Sequence, residues 1–336
     1  MARSFDFRFL NGPNAIRRLT ALALVCLFSY ALPAQTAPSQ TPASSATQAT
    51  AQTPEAIVLE PGKTVDGDLS GGQKAVFKIS ISEGQYASVI IDQHSLDLTL
   101  RLLDPKGTLE IEADSSPREA RDVFAFVAEK PGTYQILLEP KYPRASAGKY
   151  QISLGGLRAA SEEDITLYHA NQQYSEALNL YPTGAYAKAQ SLAEHALDTR
   201  EKVLAPDHRE VADVLNLLGV ICTARSNYSW AEALLHRALA IDEKALGADH
   251  STVAEVMDNL AKNHNAKADY AEAERLARKA LSIREKSLGH DHFLVAVSLG
   301  TLGDIFFAKG DYANARAFSE HALEVAGKSY TQEDLA

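Results

Sequence analysis

Residues 243–254 read EKALGADHSTVA, and Asp249 beside His250 puts a carboxylate next to an imidazole. That pair can pass a proton or hold a metal ion. The phrase recurs, however, as EKVLAPDHREVA at 201–212 and as EKSLGHDHFLVA at 285–296, at a step of 42 residues. Neighbouring helices in a stack pack about 8–10 Å apart, whereas zinc takes its ligands at about 2 Å. Three equivalent histidines, His208, His250 and His292, therefore do not converge on one ion. His290 with His292 is too small a set to make a metal site, and no cofactor is expected.

The repetition directs attention to what holds the pair in place. Tyr186, Tyr228, Tyr270 and Tyr312 stand 42 residues apart. Three residues after each come Ala189, Ala231, Ala273 and Ala315, and after these the pairs Ala196-Leu197, Ala238-Leu239, Ala280-Leu281 and Ala322-Leu323. Later in each unit come Leu218-Gly219, Leu260-Ala261 and Leu302-Gly303. A fixed period of this length means a helical solenoid. Small residues let helix backbones approach closely. Within the recurring phrase, Lys202, Lys244 and Lys286 fall in the last turn of a helix, where a cation meets the negative end of its dipole. Gly247 and Gly289 stop that helix, with Ala205 in the first copy. Asp207, Asp249 and Asp291 are expected to cap the next helix, supported by Glu210 three residues after Asp207.

The N-terminus has a different logic. Arg17 and Arg18 precede an apolar run, LTALALVCLFSYAL, from Leu19 to Leu32, followed by small residues. This order predicts a secretory signal peptide over 1–34, and the run is short of the ~20 residues a spanning helix needs. Residues 35–54, free of charge and aromatic side chains, read as a disordered linker. A secreted or periplasmic location in a bacterial cell follows as an expectation, with membrane contact only through an uncleaved signal anchor. The formal charge is −10; residues 1–34 hold four arginines and one aspartate, so their removal leaves −13. An acidic chain argues against nucleic acid as a partner. Cys222 is the only cysteine beyond the leader, so the mature chain has no internal disulfide, and a small buried helix residue is expected there.

Between 55 and 156 the period is two. Alternation is clear in VFKISIS, YASVIID, LDLTLRLL, VFAFVA, TYQILLE and KYQISL, with PG, GG, EG, DPKG and KPG between them. Short strands with turn signals at regular spacing imply an antiparallel sandwich of about eight strands. Asp66-Gly67 reads as a tight turn and Asp97 as a strand end. A helix over about 161–181 is ended by Pro182 and Gly184. Residues 160–185 thus read as a linking or capping helix ahead of the repeats at 186–336.

Two resemblances follow from these residues. The order LEPGKTVDGDLSGGQKAVFKISI, LDLTLRLLDPKG, EKPGTYQILLE and GKYQISL resembles the bacterial pre-peptidase C-terminal family of jelly-roll sandwiches. Some relatives in that family bind calcium, and the resemblance implies Asp66, Asp68, Asp92 and Asp97 as the acidic candidates, although no loop shows a dense acidic ladder. Leu218-Gly219 with Ala231 and Ala238 resembles the tetratricopeptide repeat, and the 42-residue step with EKxL, DH and VA is similar to the kinesin light chain type. The fold class implied is multidomain: an antiparallel, jelly-roll-like β-sandwich followed by an all-α superhelical solenoid. The resemblance implies a concave groove, and its usual positions map onto Asp213, Asn216, Val220 and Thr223, then Asp258, Asn259, Lys262 and Asn265, then Thr301, Asp304 and Phe307. With Lys262 the only basic member, a basic or mixed peptide is the expected ligand.

The function implied is a non-catalytic extracytoplasmic scaffold that binds protein or peptide partners. The order of leader, sandwich and repeats also resembles the front half of bacterial proteins ending in a CHAT peptidase domain. Its alternative reading is the recognition part of such an enzyme, and a third is adhesion to matrix or polysaccharide through the sandwich. The chain's own residues carry no nucleophile constellation, so no enzyme activity is expected.

Overall fold

Alternating side chains form strands because each strand buries one face only. The computed structural model describes residues 56–94, 98–114, 121–141 and 147–331. The leader, the linker and Asp97 lie outside these residues. Nine strands are present among them: β1 (Ile57–Val58), β2 (Thr64–Leu69), β3 (Ala75–Ile81), β4 (Gln85–His94), β5 (Leu98–Leu103), β6 (Leu109–Asp114), β7 (Arg121–Val127), β8 (Gly132–Pro140) and β9 (Gly148–Ala159). They make a five-stranded sheet in the order β1-β3-β8-β5-β6 and a four-stranded sheet in the order β2-β9-β4-β7. Pairing is antiparallel except between β1 and β3. Phe77, Ile79, Tyr134, Ile136 and Leu138 from one sheet and Ala87, Val89, Ile91 and Ile152 from the other close a single core. Each such large side chain contributes about 1.5–3 kcal/mol on burial.

Two loop and turn readings sharpen. Gly67 lies inside β2, in register with Tyr150 of β9, rather than in a tight turn. A β-carbon there would stand 2.3 Å from the Tyr150 hydroxyl oxygen, so the glycine makes room for that ring. Asp66 is not isolated either, because Gln151 Nε2 donates to its carboxylate at 2.7 Å. In the DPKG turn, Asp104 accepts from the amides of Lys106 and Thr108 at 2.8 Å and from Lys130 Nζ at 3.1 Å. The Thr108 amide, the Lys130 ammonium and the Lys106 amide hold its carboxyl down at about 2 despite burial.

Eight helices follow: α1 (Glu162–Leu180), α2 (Tyr186–Leu204), α3 (Arg209–Ala224), α4 (Tyr228–Leu246), α5 (Ser251–Ala266), α6 (Tyr270–Leu288), α7 (Phe293–Ala308) and α8 (Tyr312–Thr331). They pack as hairpins, α1 on α2, α3 on α4, α5 on α6 and α7 on α8. The helix expected as a linker is thus the first half of a pair. Its Ala170 and Ala177 stand 42 residues before Ala212 and Gly219, and all are buried. Counting from Tyr186 begins each unit at its second helix. No described helix is long and apolar enough to cross a membrane.

Helix α1 is anchored to the sandwich as well as to α2. A capping box of Ser161 and Asp164 starts it. Arg158 of β9 grips Asp164, donating from Nη2 at 2.9 Å, and stacks over the Tyr86 ring. One turn on, Tyr168 is buried in the sandwich core, while Ala170 and Ala177 belong to the solenoid core.

The recurring phrase is a joint, but its parts divide differently from the sequence expectation. His208, His250 and His292 are the cap residues: each Nδ1 accepts from the amide two residues on, at 3.3, 3.2 and 3.2 Å. Asp207, Asp249 and Asp291 sit one residue too early to cap. They pair instead with the lysine of the following unit, Lys244 and Lys286 at 2.6 Å and Lys328 at 3.6 Å. Lys202, with no preceding unit to reach, pairs with Asp198 on its own helix. Gly247 and Gly289 end their helices at φ 89° and 87°, and Ala205 is held at φ 82° in the same role.

Candidate peptide-binding face

The first helices of successive pairs pack on one another, α3 against α5 and α5 against α7. Their common face is therefore the tight side of the stack. Of the apolar positions of α3, Val211, Val214, Leu215, Leu218 and Ile221 are fully buried. What remains for the shared face is mostly polar, with Val220 and Phe307 as apolar members.

Asn216 and Glu255 join α3 to α5. Asn259 Nδ2 donates to Asn216 Oδ1 at 2.9 Å, and Asn216 Nδ2 donates to Glu255 Oε1 at 3.1 Å. Thr223 Oγ1 lies 2.9 Å from the Gly219 carbonyl and 3.1 Å from Asn263 Oδ1, and Asn263 Nδ2 donates to the Tyr228 carbonyl. Lys262 is half-buried; burial depresses its ammonium, and the charges of Asp258, Glu255 and Asp304 oppose that shift. Asp213 is half-buried, and burial raises its carboxyl although Arg209 and Arg200 pull it down. Val220 and Asp304 are half-buried, and Phe307 is exposed, its ring edge-on to Tyr312 at 5.5 Å.

Three predicted groove residues are placed otherwise. Asp258 is 1% exposed, and its Oδ2 accepts from Arg284 of α6 at 2.6 Å and from the Ser298 hydroxyl of α7 at 2.8 Å. It fastens consecutive pairs together. Thr301 is buried and its hydroxyl returns to the Val297 carbonyl of its own helix. Asn259 is buried between α3 and α5, its Oδ1 without a hydrogen-bond partner; Asn265 Oδ1 is unpartnered too. Cys222 is buried in α3, its thiol pushed up to about 11 by burial.

The face also holds residues the sequence reading passed over. Glu255 stands 42 residues after Asp213 and is its true counterpart. Tyr174, on α1, has its hydroxyl pKa raised by burial and then by the Asp213 charge. Asp242 comes from the second helix α4, is 1% exposed and has an unpartnered Oδ1. Strict 42-residue alignment finds it, because Arg200 and Arg284 occupy the same position in the neighbouring units.

Comparison with known proteins adds the following. The tetratricopeptide repeat family model matches residues 176–244, 227–286 and 252–328. No curated protein matches the chain. Among solved structures, BtubC (BKLC) from P. vanneervenii is 22% identical over 51% of this chain and 66% of its own, just under two thirds of its length, with a TM-score of 0.44. A chain assigned as a kinesin light chain with nearly identical TPR-like repeats, from Podosopora anserina, is 23% identical over 48% of this chain and 76% of its own, at 0.41. The pre-peptidase C-terminal domain of collagenase from Bacillus anthracis is 17% identical over 31% of this chain and 97% of its own, at 0.26. With four helix hairpins in 42-residue register and the family match running from 176 to 328, the chain carries tetratricopeptide repeats behind its β-sandwich.

Proposed function

We propose that this protein is a non-catalytic scaffold, working outside the cytoplasm, that holds an extended segment of a partner protein along the shared face of α1, α3, α5 and α7. Tetratricopeptide repeats generally mediate protein–protein interaction, and a solenoid offers such a segment a continuous surface. One observation carries the reading: buried polar atoms without partners, Arg209 Nε, Asp242 Oδ1, Asp258 Oδ1, Asn259 Oδ1, Asn265 Oδ1 and Arg284 Nε, lie on or beside this face. Buried polar groups are nearly always satisfied, so this concentration fits a surface completed by something else. The export half of the proposal rests on the arginines and apolar run at 17–32.

Two experiments test it. Selection of random displayed peptides on the full chain should enrich sequences that compete with one another. Substitution of Asn216 and Lys262 to alanine should weaken their binding. Failure to retain any peptide would remove the binding half. A fusion of residues 1–55 to alkaline phosphatase, which is active only after export, should show activity in a bacterial host; an inactive fusion of normal abundance would remove the location.

A further inference from the structure

The second helices carry one position, filled by Arg200, Asp242 and Arg284, that sits between consecutive first helices. In the first unit the Arg200 guanidinium donates from Nε and Nη2 to Asn171 Oδ1 at 3.2 and 2.7 Å, and from Nη1 to the Glu210 carbonyl at 2.6 Å. It also lies over the Tyr174 ring at 4.7 Å. In the third unit Arg284 Nη1 donates to Asp258, to Ser298 and to the Leu294 carbonyl, at 2.6, 2.9 and 3.0 Å. The carbonyl taken in both cases belongs to the first turn of the next first helix, since Glu210 and Leu294 are two repeats apart. This slot is shaped by the repeat to receive a guanidinium.

The middle unit keeps an oxygen acceptor at three of these positions, has Val256 where Ser298 stands, and lacks the donor. Asp213 stands where Asn171 does, Asn216 where Asp258 does, and the Thr252 carbonyl where those of Glu210 and Leu294 do. In place of the arginine is Asp242, 1% exposed, with an oxygen that no donor reaches. Glu255, exposed, forms the rim; Asp213, half-buried, forms the wall; Asp242 is the floor. Arg209 is the cation of the chain that acts on Asp213 and Asp242 together, and its buried Nε has no hydrogen-bond partner. Asp242 on the floor has Arg209 as its opposing cation, and Lys262 acts on Glu255 at the rim. Arg200, which also acts on Asp213, is already engaged by Asn171 and Glu210.

We infer that the slot of the middle unit, built by Asp213, Asp242 and Glu255, receives an arginine side chain from the bound partner segment. The assignment rests on the peptide-binding reading above and names the residue that segment must carry. The partner's guanidinium supplies what Arg200 and Arg284 supply within the chain. An arginine fits better than a lysine because a planar fork can reach a side-chain oxygen and a carbonyl together from different nitrogens, as Arg200 does with Asn171 and Glu210.

The test is selection of random dodecapeptides on the full chain, repeated on the variants Asp242→Asn and Asp242→Arg. Peptides selected by the parent should share an arginine, and its replacement by citrulline should weaken binding on the order of thirtyfold or more. Asp242→Asn, which keeps the shape and removes the buried charge, should lose the same factor while its thermal midpoint does not fall. Asp242→Arg should fill the slot from inside and abolish selection of arginine; if it does not fold, Asp242→Asn carries the test. Selected peptides without a common arginine, with lysine in its place, or bound equally by Asp242→Asn would overturn the inference and leave the peptide-binding reading standing. Retention of no peptide at all would overturn both.

Discussion

Gly219 of α3 faces Leu235 of α4 so closely that a β-carbon on the glycine would lie 2.5 Å from the leucine Cγ. At the same two positions the first and third units have Ala177 with Ala193 and Ala261 with Ala277, and the fourth has Gly303 with Ser319. Where the partner is alanine the first helix carries alanine; where it is leucine or serine the first helix carries glycine. Gly219→Ala should therefore destabilise the fold by about 1–3 kcal/mol through overpacking. Leu235→Ala alone should cost about 2–5 kcal/mol through the cavity it opens. The double variant reproduces the third unit's pair and should cost less than the sum, by an interaction of about 1 kcal/mol or more. Denaturant unfolding of the four proteins measures this, and strict additivity would refute the steric pairing.

Ala205 ends α2 at φ 82° and ψ 150°, where Gly247 and Gly289 end α4 and α6 at nearly the same angles. That region is essentially restricted to glycine, and a side chain there costs on the order of 1–3 kcal/mol. Ala205→Gly should stabilise the protein by about 1 kcal/mol after the added flexibility of the unfolded chain is subtracted. The reverse change, Gly247→Ala, should destabilise it. Equal thermal midpoints for Ala205→Gly and the parent would show that the turn relaxes around the alanine.

Asp258 and Arg284 form a buried ion pair that joins α5, α6 and α7 through Ser298. Removing one partner leaves the other charge stranded, so Arg284→Ala and Asp258→Ala should each cost about 3–5 kcal/mol. Removing both strands neither, and the double variant should be less damaged than the sum predicts. The exposed pair of Lys244 with Asp207 has the same short distance, 2.6 Å, but both side chains are more than half in water. Lys244→Ala should change stability by less than about 1 kcal/mol. A cost for Lys244→Ala as large as that for Arg284→Ala would contradict the role of burial.

The division between what was legible and what was not follows the range of each interaction. The small positions Ala189, Ala231, Ala273 and Ala315 were readable because helix contact repeats with the chain. So were the strands, whose alternation is local. The cap was misplaced by one residue because aspartate is the stronger capping residue in general; here the lysine of the next unit, 37 residues on, claims Asp207 and Asp249. Gly67 read as a turn because nothing nearby announces the Tyr150 ring, 83 positions later, that crosses it. On the candidate face, Asp258 was readable as polar but not as occupied, since its partner Arg284 lies on another helix. Asp242 was hidden because a groove sought on first helices does not look at the second.

Asp242 should also be visible in the pH dependence of stability. Burial first, then the charges of Asp213 and Glu255, raise its carboxyl to about 7, with Arg209 opposing them. An unfolded aspartate ionises near 3.9. Between the two values the folded chain binds more protons than the unfolded one, so this residue lowers stability as pH rises from about 4 to about 7. Asp213, raised by burial as well, acts in the same direction. Asp242→Asn removes the Asp242 part of the slope while Asp213 keeps its own. The variant should match the parent near pH 4 and exceed it increasingly in thermal midpoint up to about pH 8. A difference that stays constant across that range would mean that the Asp242 carboxyl ionises in the folded protein as it does in the unfolded chain.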